Sequence, residues 1–186
     1  MIIIIRALEK RDYYIYKSCY ENHEFKHCIF GDKDIDVRNT FDALVDESNN
    51  NNEHYIVLYK TSETESSNNV IGFCNFLMYD RYPFEITQET YAFHGGILPA
   101  LFNKGYGIYA CASMIQLFFK KHPNSILYAS TFNFNVRSVR MLTSLGFKLL
   151  PQKWYGKNHL TLEHIQFTQN PFALRVLSRI NILSVI

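Results

Sequence analysis

Gly105 and Gly107 stand one residue apart where an extended apolar run gives way to an amphipathic helix. No other stretch constrains the chain as much. Pro99 ends the run, because proline cannot donate to a strand ladder. After the glycines, Ile108, Cys111, Ile115 and Phe118 recur at helical spacing, so a packed helix follows. A strand that turns through glycines into a helix belongs to an α/β chain. The unpaired N–H groups of that helix end, together with its dipole, can hold a phosphate. On these residues alone, a simple tight turn is an equal reading. Two known phosphate patterns do not fit. The loop before the glycines is too long for the dinucleotide-binding fingerprint, and Lys104 precedes the glycines where a Walker loop needs its lysine after them.

The rest of the chain repeats the alternation. Ile2–Ile5 reads as a strand ended by Arg6, and Asp12 opens a helical stretch with Tyr13, Tyr16 and Tyr20 at helical spacing. Residues 23–45 read as a second helical region broken near Gly31. The polar run from Asp46 to Glu53 is a loop, Tyr55–Tyr59 a short strand, and Thr61–Asn69 a hairpin loop with no apolar residue. Strands follow at Val70–Tyr79 and, after a turn at Pro83, at Ile86–Leu98. Beyond the glycines come a strand at Ile126–Thr131, a helix at Arg137–Leu145 and strands at Phe147–Leu150 and Leu160–Phe167. Pro171 begins a last helix, with Ala173, Val176, Leu177, Ile180 and Leu183 on one stripe. This order predicts a mixed sheet with helices on its faces.

Composition narrows the function. The 186 residues favour one domain, and 47% hydrophobic content excludes a disordered chain. Nineteen basic against 17 acidic residues leave a formal charge of +2, which implies no nucleic-acid partner. No run reaches the ~18 apolar residues of a membrane span, and Ile2–Ile5 is too short for a secretory signal. Cys19, Cys28, Cys74 and Cys111 lack paired spacing, so free thiols in the cytoplasm are expected.

A second stretch sharpens the first. The segment Pro99-Ala100-Leu101-Phe102-Asn103-Lys104-Gly105-Tyr106-Gly107 is followed, one strand later, by Asn135 with Ser138 and then Leu145-Gly146-Phe147. Together these resemble the GNAT superfamily of acyl-CoA-dependent N-acetyltransferases. There a strand ends in P-x-Y-Q/R-x-x-G-x-G/A, and N-x-x-A/S precedes a helix that closes with L-G-F. Arg6, Asp12 and Val70-Ile71-Gly72 also suit the family, and the resemblance spans roughly residues 1–167.

The resemblance implies a central mixed sheet of about six to seven strands with flanking helices, and acetyl-CoA as cosubstrate. Asn103, Lys104, Gly105, Tyr106, Gly107 and Ile108 would hold the pyrophosphate through backbone amides. Ile97 and Leu98 would pair with the pantetheine arm, and Asn135 and Ser138 would contact the cosubstrate from the other side. A backbone N–H of the fourth strand would stabilise the oxyanion. The chain departs from the family at Phe102, where a loop arginine or glutamine is usual, and at Leu142, where a thiolate-protonating tyrosine is common. Candidates for proton transfer therefore come from the fourth strand. They are His94, Tyr91 at the position of a frequent glutamate, and Glu89 two residues earlier.

Other features have plain readings beside functional ones. His23-Glu24-Phe25-Lys26-His27 matches the zincin pattern, but no third ligand is placed, and no metal is expected. His27, Phe25 and Phe30 either wall the acceptor cleft or pack in the core. Tyr79, Tyr82 and Phe84 either line an acceptor pocket or edge the core. Trp154 and Tyr155 precede a hairpin at Gly156-Lys157-Asn158 that would form an acceptor wall or a dimer contact.

These readings combine into a GNAT-like domain over 1–167 and a helical tail over 168–186 that packs on the domain or on a partner subunit. The expected activity is cytoplasmic transfer of acetyl from acetyl-CoA to a primary amine of a small molecule, such as an amino sugar or a polyamine-like metabolite. No nucleic-acid or membrane partner is expected, and a homodimer is compatible. The alternatives are a protein N-terminal or lysine acetyltransferase, and a non-catalytic acyl-CoA sensor or assembly module.

Overall fold

Four consecutive isoleucines make a strand that must be covered on both faces, because alternate side chains point opposite ways. The computed structural model describes residues 1–30, 33–47, 52–78, 89–150, 159–164 and 171–184. In it β1 (Ile2–Ala7) lies between β2 (Glu53–Lys60), antiparallel, and β8 (Asn181–Ser184), parallel. Among the described residues the strands also include β3 (Asn69–Met78), β4 (Thr90–Ile97), β5 (Ile126–Phe132), β6 (Phe147–Leu149) and β7 (His159–His164). All eight form one mixed sheet in the order β6-β7-β5-β4-β3-β2-β1-β8.

Helices cover the two faces separately. Ile2 and Ile4 pack with Tyr16, Phe25 and Phe41 from α1 (Tyr13–Tyr20), α2 (His23–Phe30) and α3 (Val37–Glu47). Ile3 and Ile5 pack on the other face, with residues of α4 (Tyr106–Lys121), α5 (Val136–Ser144) and α6 (Pro171–Leu177). Asp12 fixes the first turn away from the sheet. It is buried and accepts two hydrogen bonds of 2.6 Å from Arg6, and a third of 2.9 Å from the Glu9 N–H. Gly72 lets β3 approach β4 closely, since a Cβ there would lie 1.9 Å from the Gly96 carbonyl oxygen.

The expected mixed sheet is present, with eight strands where the sequence suggested six or seven. The extra strand comes from the tail. The stripe Ala173, Val176 and Ile180 is buried, but the helix ends at Leu177, and the chain then adds β8 beside β1. Leu183, placed on the helical stripe by spacing, is an exposed strand residue. α6 packs against α4. Gly95-Gly96 forms no bulge, because β3 and β4 pair in continuous register from Gly72/Ile97 to Met78/Tyr91. Gly31, the aromatics Tyr79, Tyr82 and Phe84, the turn at Pro83, and the hairpin at 156–158 with Trp154 and Tyr155 lie outside the described residues. So does the start of the expected fourth strand, before Glu89. No helix among the described residues is long and apolar enough to cross a membrane.

Candidate active site

β4 and β5 are parallel, and they pair only from Thr90/Ile126 to Phe93/Ala129. Beyond that point β3 still holds β4 out to Ile97, and β7 holds β5 out to Phe132. Each strand thus keeps its outer partner where the two no longer pair with each other, and the sheet splits. The β5-facing edge of β4 beyond Phe93 has no strand beside it among the described residues. A cavity of about 670 Å³ fills the split. That volume lies within the ordinary range for small-molecule sites.

The cavity reaches both faces of the sheet. On one face it meets the N-terminal ends of α4 and α5, through Gly105, Gly107, Ile108, Asn135 and Ser138. Asn103 (φ 61°) and Gly105 (φ 83°) are left-handed, which reverses the loop so that α4 starts at the cavity. A Cβ on Gly105 would meet nothing within 4 Å, so it is the backbone angle that calls for glycine. Asn135 caps α5, its Oδ1 accepting the Ser138 N–H at 3.3 Å. On the other face the cavity meets α2 through Glu24, Phe25, Cys28 and Ile29. A Cβ on Gly96 would strike the rings of Phe25 and Phe73 at 2.5 and 2.8 Å, so its open side faces α2. His94, two residues earlier on a regularly paired strand, shares that side.

His94 lines the cavity, and water reaches its ring. Protein nevertheless surrounds the site, and the lost hydration lowers the imidazole below its ordinary value of 6.5. The ring is therefore a neutral base at pH 7. Cys74, Cys111 and Cys28 also line the cavity, and burial raises all three thiols, Cys111 to about 12. None is a ready thiolate nucleophile. Glu24 is the only carboxylate among the described residues of the lining, and Arg137 and Arg140 are its arginines.

Of the residues expected from sequence, His94, Ile97, Asn103, Gly105, Gly107, Ile108, Asn135 and Ser138 come together around this cavity. Leu98, Lys104 and Tyr106 do not. The Leu98 N–H donates to the Ile71 carbonyl at 2.8 Å, Lys104 is exposed, and Tyr106 packs on Tyr59 with ring centroids 4.6 Å apart. Glu89 and Tyr91 also lie away from the cavity lining. Tyr91 lies opposite His94 by strand alternation, buried against Phe118 and His122 of the α4 end. Glu89 is exposed at the far end of β4, where it accepts from Ser125 at 3.2 Å. Leu142 is buried in the lining, and Phe102 lies 5.8 Å beneath the Arg137 guanidinium.

The zincin-like pair lies on α2 with parallel rings 6.5 Å apart, but His27 stacks on Phe134 at 4.6 Å and Glu24 pairs with Arg137. Among the described residues no group of three His, Cys, Asp or Glu is arranged to hold a metal. Arg137 and Arg140 line the cavity without having been expected there from the sequence. Their only signal was a pair of cations one helical turn apart, just after the Asn135 cap.

Solved structures share this architecture at low identity. A domain from Methanocaldococcus jannaschii DSM 2661 superposes with a TM-score of 0.67 at 18% identity, over 87% of this chain and 96% of that one. A ribosomal-protein-S5-alanine acetyltransferase from Vibrio fischeri gives 0.64 at 17%, covering 87% and 91%. A spermidine N-acetyltransferase from Vibrio cholerae, in complex with CoA and spermine, gives 0.66 at 14%, covering 87% and 90%. No curated protein matches the sequence. Residues 3–148 match the Acetyltransferase (GNAT) domain, from the first isoleucines past the helix that Gly146 closes, and the chain belongs to that family.

Proposed function

We propose that the chain transfers acetyl from acetyl-CoA, the cosubstrate of its family, to the primary amine of a small molecule. The carrying observation is the single cavity that passes through the split sheet. On one side it has two helix N-termini and two arginines, suited to phosphates. On the other it has His94 and the α2 wall, suited to an amine. The lining between them is mostly apolar, which suits a thioester.

Acetyl-CoA supplies an activated acyl carbon when bound. The open edge of β4 offers backbone groups along which an extended arm can lie as an added strand. Neutral His94 accepts the proton that an ammonium must lose before it attacks. Backbone N–H groups of β4 near Gly95 are the donors available to a developing oxyanion. The three raised thiols favour direct transfer over an acyl-cysteine route. The amine specificity also accords with the spermidine acetyltransferase among the neighbours, although at 14% identity that likeness is one of fold.

Two measurements test this. Acetyl-CoA at 100 Kd should stabilise the protein by about 2.7 kcal/mol in thermal melting. Gly107→Glu, which puts a carboxylate at the α4 end, should abolish that shift. Release of CoA thiol should then follow addition of one member of a small amine panel. Stabilisation without thiol release on any amine, peptide or protein acceptor would favour a non-catalytic sensor. Absence of stabilisation at millimolar acetyl-CoA would overturn the proposal.

A further inference from the structure

Glu24 and Arg137 come from opposite faces of the split sheet, and they meet at its mouth. Glu24 sits in the first turn of α2, whose start is fixed by Asn22 accepting the Phe25 N–H at 2.9 Å. Arg137 sits in the first turn of α5, just after the Asn135 cap. The two side chains form an ion pair, and each remains half exposed. Arg137 also donates to the Asn103 side chain at 3.2 Å, and its guanidinium lies over Phe102. One arginine thus touches α2 and the loop that leads into α4, both of which line the cavity.

Resting on the acetyltransfer reading, we propose that this pair couples the two substrates and selects acceptors with a second positive charge. Glu24 is the only carboxylate among the described lining residues, and it lies on the His94 side of the cavity. An ammonium group remote from the reacting amine finds one anionic partner there. Before the cosubstrate binds, Arg137 occupies that partner. A guanidinium beside two helix N-termini is well placed to exchange a single exposed carboxylate for phosphate oxygens, which it binds bidentately. Acetyl-CoA binding then frees Glu24 for the acceptor. The exposure of both groups makes the exchange easy, because such a pair is held weakly against solvent.

The test uses 1,4-diaminobutane and 1-aminobutane as acceptors of equal length. For the unaltered chain, calorimetric titration should show CoA tightening diamine binding about ten-fold, as expected for ordinary coupling between sites, with no such effect on the monoamine. In Arg137→Met the diamine should bind as tightly without CoA as with it. In Glu24→Gln the KM for the diamine should rise about ten-fold and its advantage over the monoamine should vanish, while acetyl-CoA still raises the melting temperature of the folded variant. Equal diamine affinity with and without CoA in the unaltered chain, or a diamine preference that survives Glu24→Gln, overturns the inference. Turnover of the monoamine with no diamine preference overturns this inference and leaves the acetyltransfer reading standing. No turnover of any amine overturns both.

Discussion

His94 carries the proton problem of the proposed reaction. An amine near neutral pH arrives protonated, and the described lining offers one imidazole on the α2 side. Desolvation lowers that imidazole, so its neutral form persists to lower pH than in a free histidine. The sign follows directly. The acidic limb of the kcat/KM profile should have its midpoint below 6.5, the ordinary histidine value. His94→Gln should remove this limb and reduce kcat by about 100-fold or more, with acetyl-CoA binding unchanged. An unaltered acidic limb in the variant would assign the proton to water or to another group. The residue types for such chemistry were legible in the sequence, but their geometry was not. Glu89 and Tyr91 follow the right strand period, yet β4 is buried on both faces from Thr90 to Phe93. A strand of that kind gives no alternation to say which face holds the site.

At the scale of elements, the entries to α4 and α5 were legible because the backbone demands particular residues there. The left-handed angle at Gly105 and the capping asparagine at Asn135 are local needs, visible without any partner. The Glu24–Arg137 pair was not visible, because it joins the first turns of helices on opposite faces. Asn135 gives a test at this scale. Asn135→Ala removes the cap from the Ser138 N–H and should cost about 1 kcal/mol of stability. It should also weaken acetyl-CoA binding, because the N-terminal end of α5 lines the cavity and the cap sets its direction. Stability lost without any loss of binding would confine α5 to a structural role.

For the whole molecule, the question is what the last sixteen residues do. Helical spacing from Ala173 to Leu183 suggested one continuous helix, because apolar residues in a short helix and a following strand can satisfy the same period by chance. The chain instead uses the tail twice. α6 places Ala173 and Val176 in the core beside α4, with Ile180 buried in the turn that follows, and β8 covers the outer edge of β1. A chain stopped at Asn170 would lose three buried apolar side chains, worth about 4 kcal/mol together at ordinary burial values. In a protein of this size that should lower the melting temperature by roughly 10 °C. It would also leave β1 as an edge strand with unpaired N–H and C=O groups, so the truncated chain should self-associate in light scattering. The split between β4 and β5 lies beyond β3 and β2 from that edge, so the folded fraction should still bind acetyl-CoA. A truncated chain that melts with the intact one and stays monodisperse would show that the tail contributes nothing to this core. Its sequence would then have to be explained by a second subunit.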